Sequence, residues 1–170
     1  LISRTGILKQ SLKLDQVGVF GKTVEDVALL AKALIKKDIL DDDTIHYAAD
    51  EMLEVCKKGP IFEPKFIFYK TASWKKISKE SQKAFEFLLK EFKNNIEVFD
   101  EPSYFKDIPK YHQIIHETDM ANSFQDFYKK SKKKMGKKLA EAIERGLKYS
   151  AKDYVNAVDF MKQSYKSYSE

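Results

Sequence analysis

FIFYKTASWKKISKESQKAFEFLLKEFKNNIEVF, residues 66–99, decides the fold class. The run Phe66, Ile67, Phe68, Tyr69 is too short for a helix and rich in strand formers, and residues 96–99 are a second run of the same kind. Between them Ser78 offers an N-cap, and Ala84, Phe85, Leu88, Leu89 and Phe92 recur at helical spacing, which predicts a helix over 78–94 with that face buried. Strand, helix, strand over about 35 residues is the spacing of a right-handed crossover, so the two strands should be adjacent and parallel. The class is α/β.

On both sides of this unit the pattern is helical. Thr23 with Asp26 three residues later marks a helix start, and Val24, Val27, Ala28, Ala31, Leu34 and Ile35 continue it until the acidic run at 38–43. Residues 44–57 predict a second helix, running up to Gly59 and Pro60. From Asp107 onwards, Tyr111, Ile114, Ile115, Thr118, Ala121 and Phe124 form one stripe. Met135, Leu139, Ala142 and Ile143 form another, stopped by Gly146. Ser150 with Asp153 opens a last helix carrying Tyr154, Ala157, Val158, Met161 and Tyr165. With six Gly, four Pro and no repeat or linker, residues 1–170 read as one unit.

Composition narrows the function classes. At 170 residues and 43% hydrophobic the chain can bury a core, and no apolar run approaches the length of about 18 needed to span a bilayer. A soluble protein without a membrane partner is expected. The net charge of +5 raises the question of nucleic acid, yet all but two of the 31 basic residues, Arg4 and Arg145, are lysine, whereas phosphate and base readers favour arginine. Nucleic acid is therefore not the expected partner. One cysteine, Cys56, excludes an internal disulfide and a multi-thiolate zinc site, which points to a reducing, cytoplasmic setting. Residues 1–8 lack the pattern of a signal peptide, and both ends read as cut.

Candidate chemistry is sparse. His112 and His116 stand four apart on a helical stripe, but Gln113 and Ile114 follow the first histidine where a zincin has glutamate, so no metal is expected. His46 and Cys56 lie ten apart without an orienting partner. Lys129, Lys130, Lys132, Lys133, Lys134, Lys137 and Lys138 form a basic run beside Phe127 and Tyr128, the basis of an alternative reading as a helical binding module for an acidic partner. Trp74, just after the first strand, is a candidate for lining a pocket at the carboxyl end of a parallel strand. No Gly-rich phosphate loop and no Gly-x-Ser-x-Gly elbow occurs, and no cofactor is implied.

The stretch SRTGILKQSLKLDQVGVFGKTVEDVALLAKAL, residues 3–34, resembles the amidase signature family of carboxylic amide hydrolases, which includes the glutamine amidotransferase A subunit. Arg4, Gly6, Ser11, Leu14, Asp15, Gly18, Lys22, Thr23, Val24, Asp26 and Ala28 fall on the family's pattern, while Val19, Phe20 and Gly21 replace its usual Pro-Met-Ala. Residues 65–88, HETDMANSF at 116–124 and YSAKDYVNA at 149–157 are similar to later family segments. The resemblance implies a partial amidase fold, a small mixed sheet with a parallel βαβ unit covered by several helices. It also implies a small-molecule amide substrate for the complete enzyme.

Relatives use a serine nucleophile, a second serine that relays the proton and a lysine base, with backbone N–H groups stabilising the oxyanion. By the resemblance all of these precede residue 1, so no catalytic residue is assigned in this chain, which is expected to be inactive alone. Asp15 and Gly18 would belong to the turn behind the catalytic loop, as a carboxylate accepting backbone hydrogen bonds and a glycine allowing close approach. Loss of the preceding part should expose apolar surface and an unpaired strand edge. Self-association is then expected, with residues 1–20 loosely ordered or packed on a second copy.

Overall fold

The computed structural model describes residues 1–169. Strand β1 (Phe66–Lys70) pairs in parallel with β2 (Ile96–Asp100), with Phe68 opposite Val98 at the centre of the register. The connection runs through a 3₁₀ turn at Trp74–Lys76 and then helix α3 (Lys79–Glu91), so numbered because two helices precede β1. Ser78 caps that helix by accepting a hydrogen bond from the N–H of Ser81. The crossover expected from the spacing of the two apolar runs is therefore present.

Residues 1–59 with 112–159 form one compact unit, and residues from Pro60 to Tyr111 with those from Phe160 onwards form another. In the second, the side chains of β1 meet the helix through aromatic rings. Phe68 lies 5.4 Å from Trp74 and 5.5 Å from Phe85, and Phe66 lies 5.4 Å from Phe92. Phe105 is buried and stacks on Tyr168 at 4.2 Å. The helical face expected to be buried is not: no residue of α3 is, and Phe85, Leu88 and Phe92 remain exposed. A sheet two strands wide offers a 13-residue helix too little surface to cover its apolar side.

The first unit is helical. It contains α1 (Val24–Leu34), α2 (Met52–Lys58), most of α4 (Ile108–Ser123), α5 (Gln125–Ser131), α6 (Lys137–Gly146) and the first half of α7 (Ala151–Ser169). Thr23 and Asp26 form a reciprocal capping box at α1, and Ser150 and Asp153 do the same ahead of α7. Met120, Ala121, Phe124 and Ile143 make the core, with Tyr128, Met135, Leu139 and Ala142 packed on it. These include the stripe expected from Met135 to Ile143 and, of the stripe expected on α4, Ala121 and Phe124; Ile114 and Ile115 of that stripe are buried too, outside this cluster. On α7 Ala157 is fully buried, but Tyr165, expected on the same face, is exposed.

One expectation is corrected by local chemistry. The helix predicted over 44–57 is confined to α2, because Thr44 is buried in the preceding loop, where its hydroxyl donates to the Asp41 carbonyl (2.8 Å) and accepts from the Asp38 N–H (2.9 Å). Helix α6 ends at Gly146, as expected. A Cβ there would lie 2.0 Å from the Glu117 carbonyl oxygen, so glycine is required by the close approach of α4 and α6.

Candidate functional site

The opening residues 1–15 have little regular structure, and their exposed Leu1, Ile7, Leu8 and Leu12 add little apolar burial. Polar pins hold them instead. Arg4 is the first: its guanidinium takes both oxygens of Asp41 (Nε to Oδ2 3.0 Å, Nη2 to Oδ1 2.5 Å), reaches Asp43 at 2.6 Å and donates to the Leu12 carbonyl at 2.7 Å. The Arg4 N–H also donates to Asp41 at 2.9 Å. This bidentate, charge-assisted geometry holds the Asp41 carboxyl far below the usual range and the guanidinium above its own, chiefly through the side-chain hydrogen bonds between them.

Asp15 is the second pin. Its half-buried carboxylate accepts the N–H groups of Gln10 (2.8 Å) and Ser11 (3.0 Å), closing the turn between them. The third pin joins three distant segments. Ser11, wholly buried, donates its hydroxyl to Asp119 on α4 at 2.5 Å, and the other oxygen of Asp119 accepts the Tyr154 hydroxyl from α7 at 2.9 Å. Burial first, and the bond to Asp119 second, push the Tyr154 hydroxyl up to about 12. Below this, Glu117 ties α4 to α6 through Arg145 (2.6 and 2.9 Å) and to Gln113 at 3.0 Å. Burial raises the Glu117 carboxyl, but the bonds from Arg145 and Gln113 outweigh it and leave it lowered.

Two open concavities, of about 690 and 860 Å³, flank Arg4. Both are lined by Lys13, Asp15, Asp41 and Asp43, and the larger adds Thr118, Asp119, Asn122 and Tyr154. Of the residues expected to support a site, Asp15 lies here and accepts backbone hydrogen bonds. Gly18 lies in an exposed stretch where an added Cβ would meet nothing within 4 Å. Trp74 belongs to the other unit, packed edge-on against Phe68, and lines neither concavity. His112 and His116 stack with ring centroids 5.9 Å apart, and no cluster that could hold a metal occurs among the described residues.

The hydroxyl–carboxylate pairs here are poor sources of a nucleophile. Ser11 is closed to any reagent, and Ser3 donates to Asp38, whose carboxyl is lowered by that bond and is thus a weak base. In the basic run, Lys132 is pushed up by its bond to Glu144, opposite to what a lysine base needs. The sequence reading missed the roles of Asp41, Asp119 and Tyr154. The acidic run at 38–43 near an isolated Arg4 was a usable signal, whereas nothing local connects Ser11 with Asp119, 108 residues away.

A parallel βαβ unit accompanied by a helical body defines an α/β protein, and comparison with known proteins makes the class more specific. A model of the Amidase family matches residues 1–169. The chain belongs to the amidase family. The A subunit of the glutamyl-tRNA(Gln) amidotransferase of Synechococcus sp. (strain JA-3-3Ab) is 49% identical over 45 residues, which cover 26% of this chain and 9% of that protein. Its counterpart in Trichormus variabilis (strain ATCC 29413 / PCC 7937) is 44% identical over a stretch of the same length and coverage. A crystal structure of an amidase superposes with a TM-score of 0.65 at 19% identity, covering 95% of this chain and 34% of that one. The chain thus spans about a third of the length of that amidase and aligns with less than a tenth of the curated relatives. No helix among the described residues is long and apolar enough to cross a membrane.

Proposed function

We propose that residues 1–170 form a supporting, non-catalytic part of an amidase-family hydrolase that, when whole, cleaves small carboxylic amides by acyl transfer to a serine nucleophile and then to water. The observation that carries this reading is the pinning of residues 3–15, the start of the stretch with the most family-like pattern. Arg4, Asp15 and the Ser11–Asp119–Tyr154 relay hold it with charge-assisted bonds, as a segment that must present a neighbouring reactive loop in one geometry needs to be held. Asp15 is the closest support in this scheme; Gly18 would matter where further chain approaches, and Trp74 would stiffen the end of β1. Nucleophile, relay serine, lysine base and oxyanion donors lie outside residues 1–170.

The reading is tested by assaying the purified chain for ammonia release from simple aliphatic and aromatic amides. Turnover should be indistinguishable from buffer. Turnover that survives purification to homogeneity and disappears in Ser11→Ala or Ser3→Ala would overturn it.

A further inference from the structure

Residues 127–138 hold seven lysines and no acidic residue, while the rest of the chain has 24 basic residues against 26 acidic ones. The whole excess of positive charge therefore sits on α5, the 3₁₀ turn at Lys132–Lys134 and the start of α6. The apolar side of these elements is already placed, because Tyr128, Met135 and Leu139 pack on the core made by Met120, Ala121, Phe124 and Ile143. All seven lysines are exposed.

Two of the seven have an acidic neighbour. Lys132 bonds to Glu144 at 2.7 Å and sits over the Tyr128 ring, and Lys137 lies 4.0 Å from Glu141. Lys129, Lys130, Lys133, Lys134 and Lys138 form no ion pair among the described residues. Covering an ammonium group that lacks a counter-charge is costly, so the exposure of these five, unlike that of an apolar face, follows from the residues themselves. Placed so close along the chain, they also repel one another, a cost that a bound polyanion relieves.

We propose that this surface docks a flexible acidic segment of a partner protein, whose carboxylates lie against the five unpaired ammonium groups. Lysine is a strongly hydrated point charge on a mobile stem and imposes no planar geometry on its ligand, which suits an acidic chain without fixed structure. A rigid, packed protein surface would have to desolvate all five, at a cost that the ion pairs do not return, whereas a flexible segment leaves them partly in water. Nucleic acid fits less well. A single strand is held in a groove by bases stacked on aromatic rings, yet no residue of the run lines either concavity, and Tyr128 is engaged by its bond to Glu144 (2.8 Å) and by its packing on the core. The bidentate contacts of a duplex reader call for arginine, which the run lacks. The inference stands on charge and packing and does not depend on the catalytic reading.

Fluorescence anisotropy of the 170-residue chain with a labelled peptide of alternating Glu and Ser, and in parallel with an oligouridylate of equal net charge, tests it. At an ionic strength of about 0.15 M, where charges are screened beyond about 8 Å, the peptide should bind, and binding should weaken steeply as salt is added. Making Lys129→Gln, Lys130→Gln, Lys133→Gln, Lys134→Gln and Lys138→Gln together should weaken it about tenfold or more. Lys75→Gln, Lys76→Gln, Lys83→Gln, Lys90→Gln and Lys93→Gln, at exposed lysines of the other unit, lower the net charge equally and should leave binding within about twofold of the parent. Lys→Arg at the five positions of the run keeps the charge and should bind as the parent does. No binding of the peptide, tighter binding of the oligouridylate than of the peptide, or an equal loss in the two sets of Gln variants overturns the proposal.

Discussion

Gly146 shows how a single position can decide a helix–helix contact. Its missing side chain leaves room for the backbone of Glu117, and because backbone cannot swing aside, Gly146→Ala should cost about 1–3 kcal/mol, the usual range for overpacking. Gly136→Ala, where a Cβ meets nothing within 4 Å, is the control: urea unfolding should separate the two midpoints, with Gly136→Ala near the parent chain. The charged pins predict the response to acid. Asp41 and Glu117 have folded-state pKa values below their unfolded ones, so the stability they contribute is present above about pH 4 and is lost as pH falls towards their folded values. Asp41→Asn should flatten the acid limb of a stability–pH curve and speed amide exchange over residues 1–15. Tyr154 runs in the opposite sense: its pKa is raised to about 12, so its contribution is present below about pH 10 and is lost as pH rises through 12. Ultraviolet titration of Tyr154→Phe should lack the last tyrosinate step seen in the parent. Apart from the acidic run that holds Asp41, these residues do not announce their partners in the sequence; Asp119 reads there as an ordinary polar position on α4, and its two hydroxyl donors arrive from segments far along the chain.

Elements were far more legible, because their signals are local. The capping boxes Thr23/Asp26 and Ser150/Asp153 were visible as spacings and form as such, and replacing either cap should cost about 1 kcal/mol. Thermal unfolding of Thr23→Ala and Ser150→Ala, each compared with an exposed Ser→Ala control such as Ser167→Ala, checks this; losses no larger than the control would mean that the caps are not holding helix ends. The parallel pair was equally readable, since two short apolar runs flanking an amphipathic helix admit one comfortable connection. What failed was the helix expected over 44–57. Its N-terminal half has the composition of a helix, yet Thr44 finds better partners in the acidic loop than at a helix start, a choice that depends on Asp38 and Asp41 together. The buried face expected on α3 failed for a different reason. Periodicity reports that a helix has an apolar side, and cannot report how much sheet is present to cover it.

For the molecule as a whole, a family fold accompanies a concave region whose segments are held by polar bonds. The amidase resemblance was legible because residues 3–34 carry it in a specific pattern, and the family match over residues 1–169 extends it along the chain. The candidate site was legible only at Asp15; the concavities around Arg4 come from tertiary hydrogen bonds that no periodicity encodes. The serines near those concavities are either buried against a carboxylate, as Ser11 is, or bonded to one made a weaker base, as Ser3 is. Neither serine is placed to act as an activated nucleophile. Intact-mass spectrometry of the purified chain after prolonged treatment with a fluorophosphonate addresses this directly, with an intact amidase labelled in parallel as the positive control. The account predicts an unmodified mass for residues 1–170 while the control is labelled to completion. A stoichiometric adduct on one serine of this chain, absent after heat unfolding, would contradict it.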